Sequence, residues 1–158
     1  MNRWHNHYAD NHPHFCTATI TDWRPLLVGE SIQILYDIWE EARQALSVKL
    51  LTYVVMPDHY HHLLWAEQGK SVSAFLQRTA SLTRKRMQTN GPLFKEAPRV
   101  LAVYTPDVFE TKLDYIHRNP LRKELVSEPE EWLHSSYRQL VLGCEDVPFL
   151  CDDWDGVL

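Results

Sequence analysis

Two apolar segments flank a short turn near the middle of the chain, and they set the main constraint on its fold. Residues 50–56 are apolar, Pro57 and Asp58 interrupt the run, and residues 60–66 are again rich in aliphatic and aromatic side chains. Runs of this length, separated by turn-forming residues, are typical of β-strands. The pattern therefore predicts a β-hairpin whose turn lies at residues 57 and 58.

The remaining patterns place this hairpin inside an alternating order of strands and helices. They predict a strand at 15–20, helices at 30–48 and 73–88, a strand at 100–104 and a helix at 105–119. The order β-α-β-β-α-β followed by a helix matches the split βαβ arrangement. We therefore expect an α+β, ferredoxin-like fold, with an antiparallel sheet, helices on one face and an additional C-terminal helix.

The last predicted helix has clear signals at both ends. Thr105 is a favourable N-cap, Pro106 fits the first turn and Asp107 complements the helix dipole. Pro120 disfavours helical geometry in the residue before it, so the helix should end near residue 119.

The charge of the chain is unevenly distributed. Its 158 residues carry a formal net charge of −5, yet residues 144–158 contain five acids and no Lys or Arg. We therefore predict one domain over 1–143 and an acidic C-terminal tail over 144–158, which could be disordered or could lie over a basic face. Residues 68–95 contain six basic residues and no acid, so the net charge does not exclude a nucleic-acid partner.

His59 and His61 are the first candidates for chemistry. Because side chains alternate along a strand, the two imidazoles point to the same face of the predicted hairpin. Paired imidazoles can hold a divalent metal ion. The alternative is that both are polar residues on the solvent side of an amphipathic strand. His62 points to the opposite face, where packing or surface exposure is expected.

Tyr115 and Asn119 lie one turn apart on the predicted helix 105–119 and share a face. A tyrosine oxygen is a competent nucleophile when it is aligned with an electrophile that a metal has activated. An amide oxygen one turn later is a reasonable third metal ligand. The alternative is that Tyr115 packs under the sheet and Asn119 only closes the helix.

Three blocks of sequence resemble a known family. They are residues 53–64 (YVVMPDHYHHLL), 112–126 (KLDYIHRNPLRKELV) and 132–138 (WLHSSYR). These blocks resemble, in order, the metal-binding segment, the catalytic helix and the following segment of HUH single-tyrosine transposases. The subgroup they resemble most is the REP-associated tyrosine transposases, which are related to insertion-sequence transposases acting on single-stranded DNA. The resemblance covers about residues 3–143.

The resemblance implies a role for each matching residue. His59, His61 and Asn119 would bind a divalent metal, Mg²⁺ or Mn²⁺. Tyr115 would attack a DNA phosphate and keep a covalent 5′-phosphotyrosine link. The implied function is metal-dependent cleavage and strand transfer of single-stranded, REP-like hairpin DNA by a monomer or homodimer. A second reading is a catalytically silent DNA-binding module on the same fold, and a third is a small metal enzyme or metal sensor.

Basic and aromatic side chains supply candidates for DNA contact. A phosphate-rich ligand would need cations near the site, although a solvated helix face is the common alternative. The candidate DNA-binding residues are Arg78, Arg84, Lys85, Arg86, Arg118, Arg122, Lys123 and Arg138. Aromatic residues that could stack on bases, or equally pack in the core, include Trp4, Tyr8 and Trp23. No signal-peptide or membrane-spanning pattern is recognised, so a cytoplasmic protein is expected.

Overall fold

The strands form one four-stranded antiparallel sheet in a computed structural model that describes residues 5–157. Trp4 lies outside the described residues. The elements are β1 (His12–Thr19), α1 (Glu30–Leu46), β2 (Lys49–Val55), β3 (His59–Ala66), α2 (Gly69–Arg86), β4 (Arg99–Ala102), α3 (Pro106–His117), α4 (Asn119–Arg122) and α5 (Tyr137–Leu140). Two short 3₁₀ turns, Thr21–Trp23 and Pro129–Glu131, complete the list.

The strand order is β2-β3-β1-β4. β3 pairs with β1 along its whole length, from His12 opposite Ala66 to Thr19 opposite His59. The connections and the antiparallel pairing confirm the predicted α+β fold with its split βαβ order.

Element boundaries differ from the predicted ones where distant residues decide them. α2 begins at Gly69, four residues before the predicted start, because the Asp10 carboxylate accepts a hydrogen bond from the Gly69 N–H at 2.7 Å. A Cβ at Gly69 would lie 3.0 Å from the Ala9 nitrogen, so only glycine fits this approach without a shift. The predicted N-cap of α3 is confirmed, since the Thr105 hydroxyl accepts from the Val108 N–H.

The sheet is covered on both faces, by different helices. α1 and α2 pack on one face, where their apolar side chains join Cys16, Tyr60 and Leu64 in the larger core. α3 packs on the other face, where Phe109 and Ile116 join Leu63 in a second, smaller core. β3 is therefore buried on both sides.

β2 would be an exposed edge, but residues 134–136 cover it. The Val55 N–H donates to the His134 carbonyl, and the Ser136 N–H donates to the Tyr53 carbonyl. A register shift between Leu50 and Thr52 marks a β-bulge in the same strand. Leu51 packs in the smaller core beneath α3, and the Thr52 hydroxyl hydrogen-bonds to His117 of α3. Because of the bulge, both of these consecutive side chains point to the face that α3 covers.

The acidic segment 144–157 packs against the rest of the domain. Phe149 and Cys151 are buried in the larger core, and the Asp152 and Asp153 carboxylates pair with Arg43 and Lys49 at 2.8 and 2.7 Å. These acids thus pair with α1 and β2, and none of these pairs involves a predicted DNA-binding residue. None of the helices between residues 5 and 157 is long and apolar enough to span a membrane.

A substitution of Phe149 tests how much this segment contributes to the stability of the fold. Its ring is 6 % exposed and contacts the rings of Tyr36, Trp39 and Tyr53. Phe149→Ala should therefore lower the free energy of unfolding by about 3 kcal/mol. The neighbouring, exposed Leu150 is the matched control, and Leu150→Ala should change it by less than about 0.5 kcal/mol. Equal urea midpoints for the two variants would contradict this packing.

His62 lies in the larger core without a hydrogen-bond partner among the described residues for either ring nitrogen. Its imidazole contacts the rings of Trp39, Tyr60 and Phe75. Burial lowers the pKa of His62 from 6.5 to about 3. The ring is therefore neutral in the folded protein. Of the two positions expected for His62, packing or surface exposure, the structure shows packing.

This burial predicts a loss of stability in acid. Below about pH 6.5 the unfolded chain takes up a proton at His62 that the folded chain excludes, so stability falls with falling pH. For one such group the loss between about pH 7 and pH 5 is roughly 2 kcal/mol. The free energy of unfolding is measured in urea at both pH values. In His62→Leu its decrease between them should be smaller by this amount. His7→Leu, at an exposed position, should leave the loss unchanged, and the same slope in all three proteins would contradict the prediction.

Candidate active site

A cleft of about 460 Å³ lies on the α3 face of the sheet. β1 and β3 form its floor, α3 and α4 form one wall, and the Thr21–Trp23 turn with residues 95–99 forms the other. Its lining includes every residue predicted for catalysis or metal binding, namely His59, His61, Tyr115 and Asn119. Residues of β3 and of the consecutive helices α3 and α4, some sixty positions apart in sequence, thus meet at one place.

His59 is held by oxygen atoms on both sides of its ring. Its Nδ1 donates to the Asp58 carboxylate at 2.6 Å, and its Nε2 lies 3.2 Å from the Asn119 Oδ1. His59 and Asn119 are only 5 % and 2 % exposed. With the ring proton on Nδ1, the Nε2 and the Asn119 Oδ1 each offer a lone pair to a metal ion that lies beside them.

His61 is beside His59 on the same face, with ring centroids 4.9 Å apart. A hydrogen bond of 2.7 Å joins its Nδ1 to the Thr17 hydroxyl on the neighbouring strand. Burial, with smaller contributions from His59, His62, Lys112 and Lys123, lowers the pKa of His61 to about 3. A neutral imidazole is the form that binds a metal. The expectation that these histidines share a face is correct, but that face is covered by α3 and is not open to solvent.

Tyr115 lies against His61. Its ring meets the His61 ring edge-on with centroids 5.2 Å apart, and it meets Phe15 in the same way at 5.8 Å. The Arg122 guanidinium lies 4.9 Å from the centroid of the Tyr115 ring. These contacts hold the ring in place. Because Tyr115 is only partly buried, its side chain remains accessible from the cleft.

A buried cluster of polar groups fixes the end of α3. The His117 Nε2 is 2.9 Å from the Ser136 hydroxyl and 3.2 Å from the Thr52 hydroxyl, and the two hydroxyls are 2.6 Å apart. Burial lowers the pKa of His117 to about 4. His117 is not among the residues that line the cleft. Its contacts attach α3, and therefore Tyr115, to β2.

α3 ends at His117, two residues before the predicted end. The Arg118 backbone (φ −89°, ψ 0°) separates it from α4, because Pro120 has no N–H to continue the ladder. Asn119 nevertheless remains on the cleft side, as the predicted shared face requires.

The available ligands fit a hard or borderline divalent cation. Residues 5–157 contain no group of three or more His, Cys, Asp and Glu side chains arranged for a metal, but the third donor here is an amide, which that set does not include. Two ligands of an octahedral ion at about 2.1 Å lie roughly 3 Å apart, close to the distance between the His59 Nε2 and the Asn119 Oδ1. Asp58 and Thr17 would orient the imidazoles from behind, as carboxylates and hydroxyls commonly do around metal sites.

The predicted DNA-binding residues do not all lie at the cleft. Lys123 lines the cleft and Arg122 contacts Tyr115. The basic residues of α2 lie on the opposite face of the sheet, where Arg78 and Arg86 pair with Glu41. Arg118 is exposed and pairs with Asp114. The lining residues of the cleft include neither the α2 cations nor Arg138.

Three cations of the cleft were not assigned to the site from the sequence, namely Lys95, Arg99 and Lys112. Trp23, for which the sequence left base stacking and core packing open, lies at the mouth of the cleft. Lys112 is one turn before Tyr115 on the same stripe, and this spacing could have identified it. Lys95 and Arg99 reach the cleft only because their segment pairs with β1, which local sequence patterns do not reveal.

Comparisons with known proteins agree with this geometry. The family model described as IS200-like transposases matches residues 8–117. A REP-associated tyrosine transposase bound to a REP hairpin shares the fold, with a TM-score of 0.81, 17 % identity, and coverage of 100 % of this chain and 98 % of that one. That alignment includes the acidic segment 144–158.

A second solved structure is less similar. It is a putative transposase from Deinococcus radiodurans R1, with a TM-score of 0.50, 22 % identity, and coverage of 73 % of this chain and 95 % of that one. A search of curated protein sequences finds no match. Because the family model matches well over half of the chain, and includes the paired histidines and Tyr115, this protein belongs to the IS200-like transposase family.

Proposed function

We propose that this transposase cuts and rejoins single-stranded DNA through a covalent link to Tyr115, with a divalent metal held by His59, His61 and Asn119. The observation that carries the proposal is the meeting of these four side chains in one cleft lined by cations. The His59 Nε2 and the Asn119 Oδ1 are 3.2 Å apart, and Tyr115 stands over His61.

The chemistry follows from the positions of the side chains. The Tyr115 oxygen attacks the phosphorus and forms a phosphotyrosine bond, and the bond from phosphorus to the 3′-oxygen breaks. The phenol loses its proton, and the leaving 3′-oxygen gains one to become a free hydroxyl. When bound, the metal would neutralise a non-bridging phosphate oxygen. Phenolate is also a competent leaving group, so a 3′-hydroxyl can reverse the reaction.

A hairpin with a single-stranded flank is the substrate class we propose. The similar REP-associated tyrosine transposase is bound to a REP hairpin, which supports the same kind of partner here. Lys95, Arg99, Lys112 and Lys123 in the cleft are suited to a phosphate backbone. The second candidate remains a DNA-binding module without cleavage, because it would use the same cations.

Removing the nucleophile separates these two candidates. Wild-type protein incubated with a labelled hairpin oligonucleotide and Mg²⁺ or Mn²⁺ should give a protein–DNA adduct that survives denaturing electrophoresis. Tyr115→Phe should abolish the adduct while leaving the Kd for DNA within about threefold, because only the attacking oxygen is lost. The matched control is Tyr104→Phe, at an exposed tyrosine outside the cleft lining, which should form the adduct normally. Binding without any adduct in the wild type would favour the binding module.

Asp58 gives an independent test of the metal site. Without its carboxylate the His59 ring loses its orienting acceptor, so Asp58→Ala should weaken Mn²⁺ binding by about 10- to 100-fold. Calorimetric titration of the DNA-free protein measures this directly. Asp37→Ala, at an exposed position on α1, should bind Mn²⁺ as the wild type does. If Asp58→Ala binds equally well, then Asp58 does not orient a ligand.

A further inference from the structure

We propose that Trp23 and Lys95 form a nucleobase subsite at the mouth of the cleft. In this subsite the Trp23 ring stacks on one unpaired base directly flanking the phosphate that Tyr115 attacks, and Lys95 pairs with an adjacent phosphate. The inference rests on the proposed function, because it assumes that single-stranded DNA occupies the cleft.

The first observation is that Trp23 is exposed in an unfavourable backbone conformation. Its side chain is 52 % exposed, although tryptophan normally buries most of its surface. Asp22 and Trp23 have φ values of 57° and 53°, so two consecutive non-glycine residues are left-handed. Such residues are sparsely populated and tend to persist where a binding or catalytic function requires them.

The second observation is that the surrounding backbone holds this turn firmly. The Ile20 N–H donates to the Asp58 carbonyl, and the Thr21 N–H donates to the Leu93 carbonyl. The Trp23 N–H returns to the Ile20 carbonyl within the turn. The turn is thus attached both to the residue beside His59 and to the segment that carries Lys95. A ring positioned in advance loses little conformational freedom on binding a base.

The third observation is the position of the ring relative to the site. The Trp23 and His59 ring centroids are 6.1 Å apart, at an interplanar angle of 77°. A base attached to a phosphate at His59 can therefore reach the Trp23 ring. The Lys95 Nζ lies 5.7 Å from the centroid of the same ring. An aromatic platform beside a cation is the combination that single-stranded nucleic acids bind.

Binding measurements in the Tyr115→Phe background test the subsite without any cleavage. The probe is a fluorescent hairpin oligonucleotide with single-stranded flanks, intact or with one abasic position next to the cleavage point. Trp23→Leu should weaken binding of the intact probe by about 5- to 100-fold, the range that stacking of one base supplies. Trp23→Phe should recover most of this loss, which also shows that the turn still folds.

An abasic position distinguishes stacking from a general defect. One flanking abasic position should weaken binding to the parent protein and cause no further loss in Trp23→Leu. Tyr104→Leu, at an exposed aromatic residue outside the cleft lining, should bind the intact probe within about twofold of the parent. Lys95→Gln should reduce the dependence of log Kd on log salt by about 0.7, whereas Lys70→Gln on α2 should not.

The outcomes separate this inference from the proposed function. Unchanged binding by Trp23→Leu, or equal losses from the abasic position in Trp23→Leu and its parent, would overturn the subsite while the Tyr115 adduct could still form. Base-dependent stacking without any adduct from wild-type protein would instead overturn the catalytic proposal alone. No binding of the probe by the parent protein would overturn both.

Discussion

The burial of β3 on both of its faces is the constraint on which the rest of the molecule depends. β3 pairs with β1 on one side and with β2 on the other, so both of its edges lie within the sheet. Side chains that alternate along it must then satisfy two different surroundings. Tyr60 and Leu64 enter the apolar layer under α1 and α2, while His59 and His61 face α3. A shift of one residue in register would exchange these sets and bury the imidazoles in the wrong layer.

The sequence patterns predict this alternation well, because periodicity of two is a local property. The same holds for α3, where Thr105 and Pro120 are strong local signals. The start of α2 could not be predicted, since its first N–H is satisfied by Asp10, nearly sixty residues earlier. The cations of α2 lie on the face of the sheet away from Tyr115. This placement depends on how the helices and strands are connected, which residue spacing within α2 does not reveal.

Within the candidate site, the candidate metal ligands can be identified from the sequence. The residues that hydrogen-bond to them are harder to identify. Asp58 is adjacent to His59 in sequence, yet only the side-chain geometry shows that its carboxylate accepts from the ring. Thr17 reaches His61 across a strand pair separated by more than forty residues. The cleft also gathers cations in a chain whose net charge is negative. A local field of this kind attracts phosphate at short range, because salt screens the more distant acids.

The packing of Phe149 against α1 and β2 has a consequence for how the protein folds. These contacts join residues about one hundred positions apart, so a large loop must close before the larger core is complete. Folding slows as the mean sequence separation of native contacts grows. During synthesis, the aromatic side chains that Phe149 covers therefore have no such cover until residue 149 has been made.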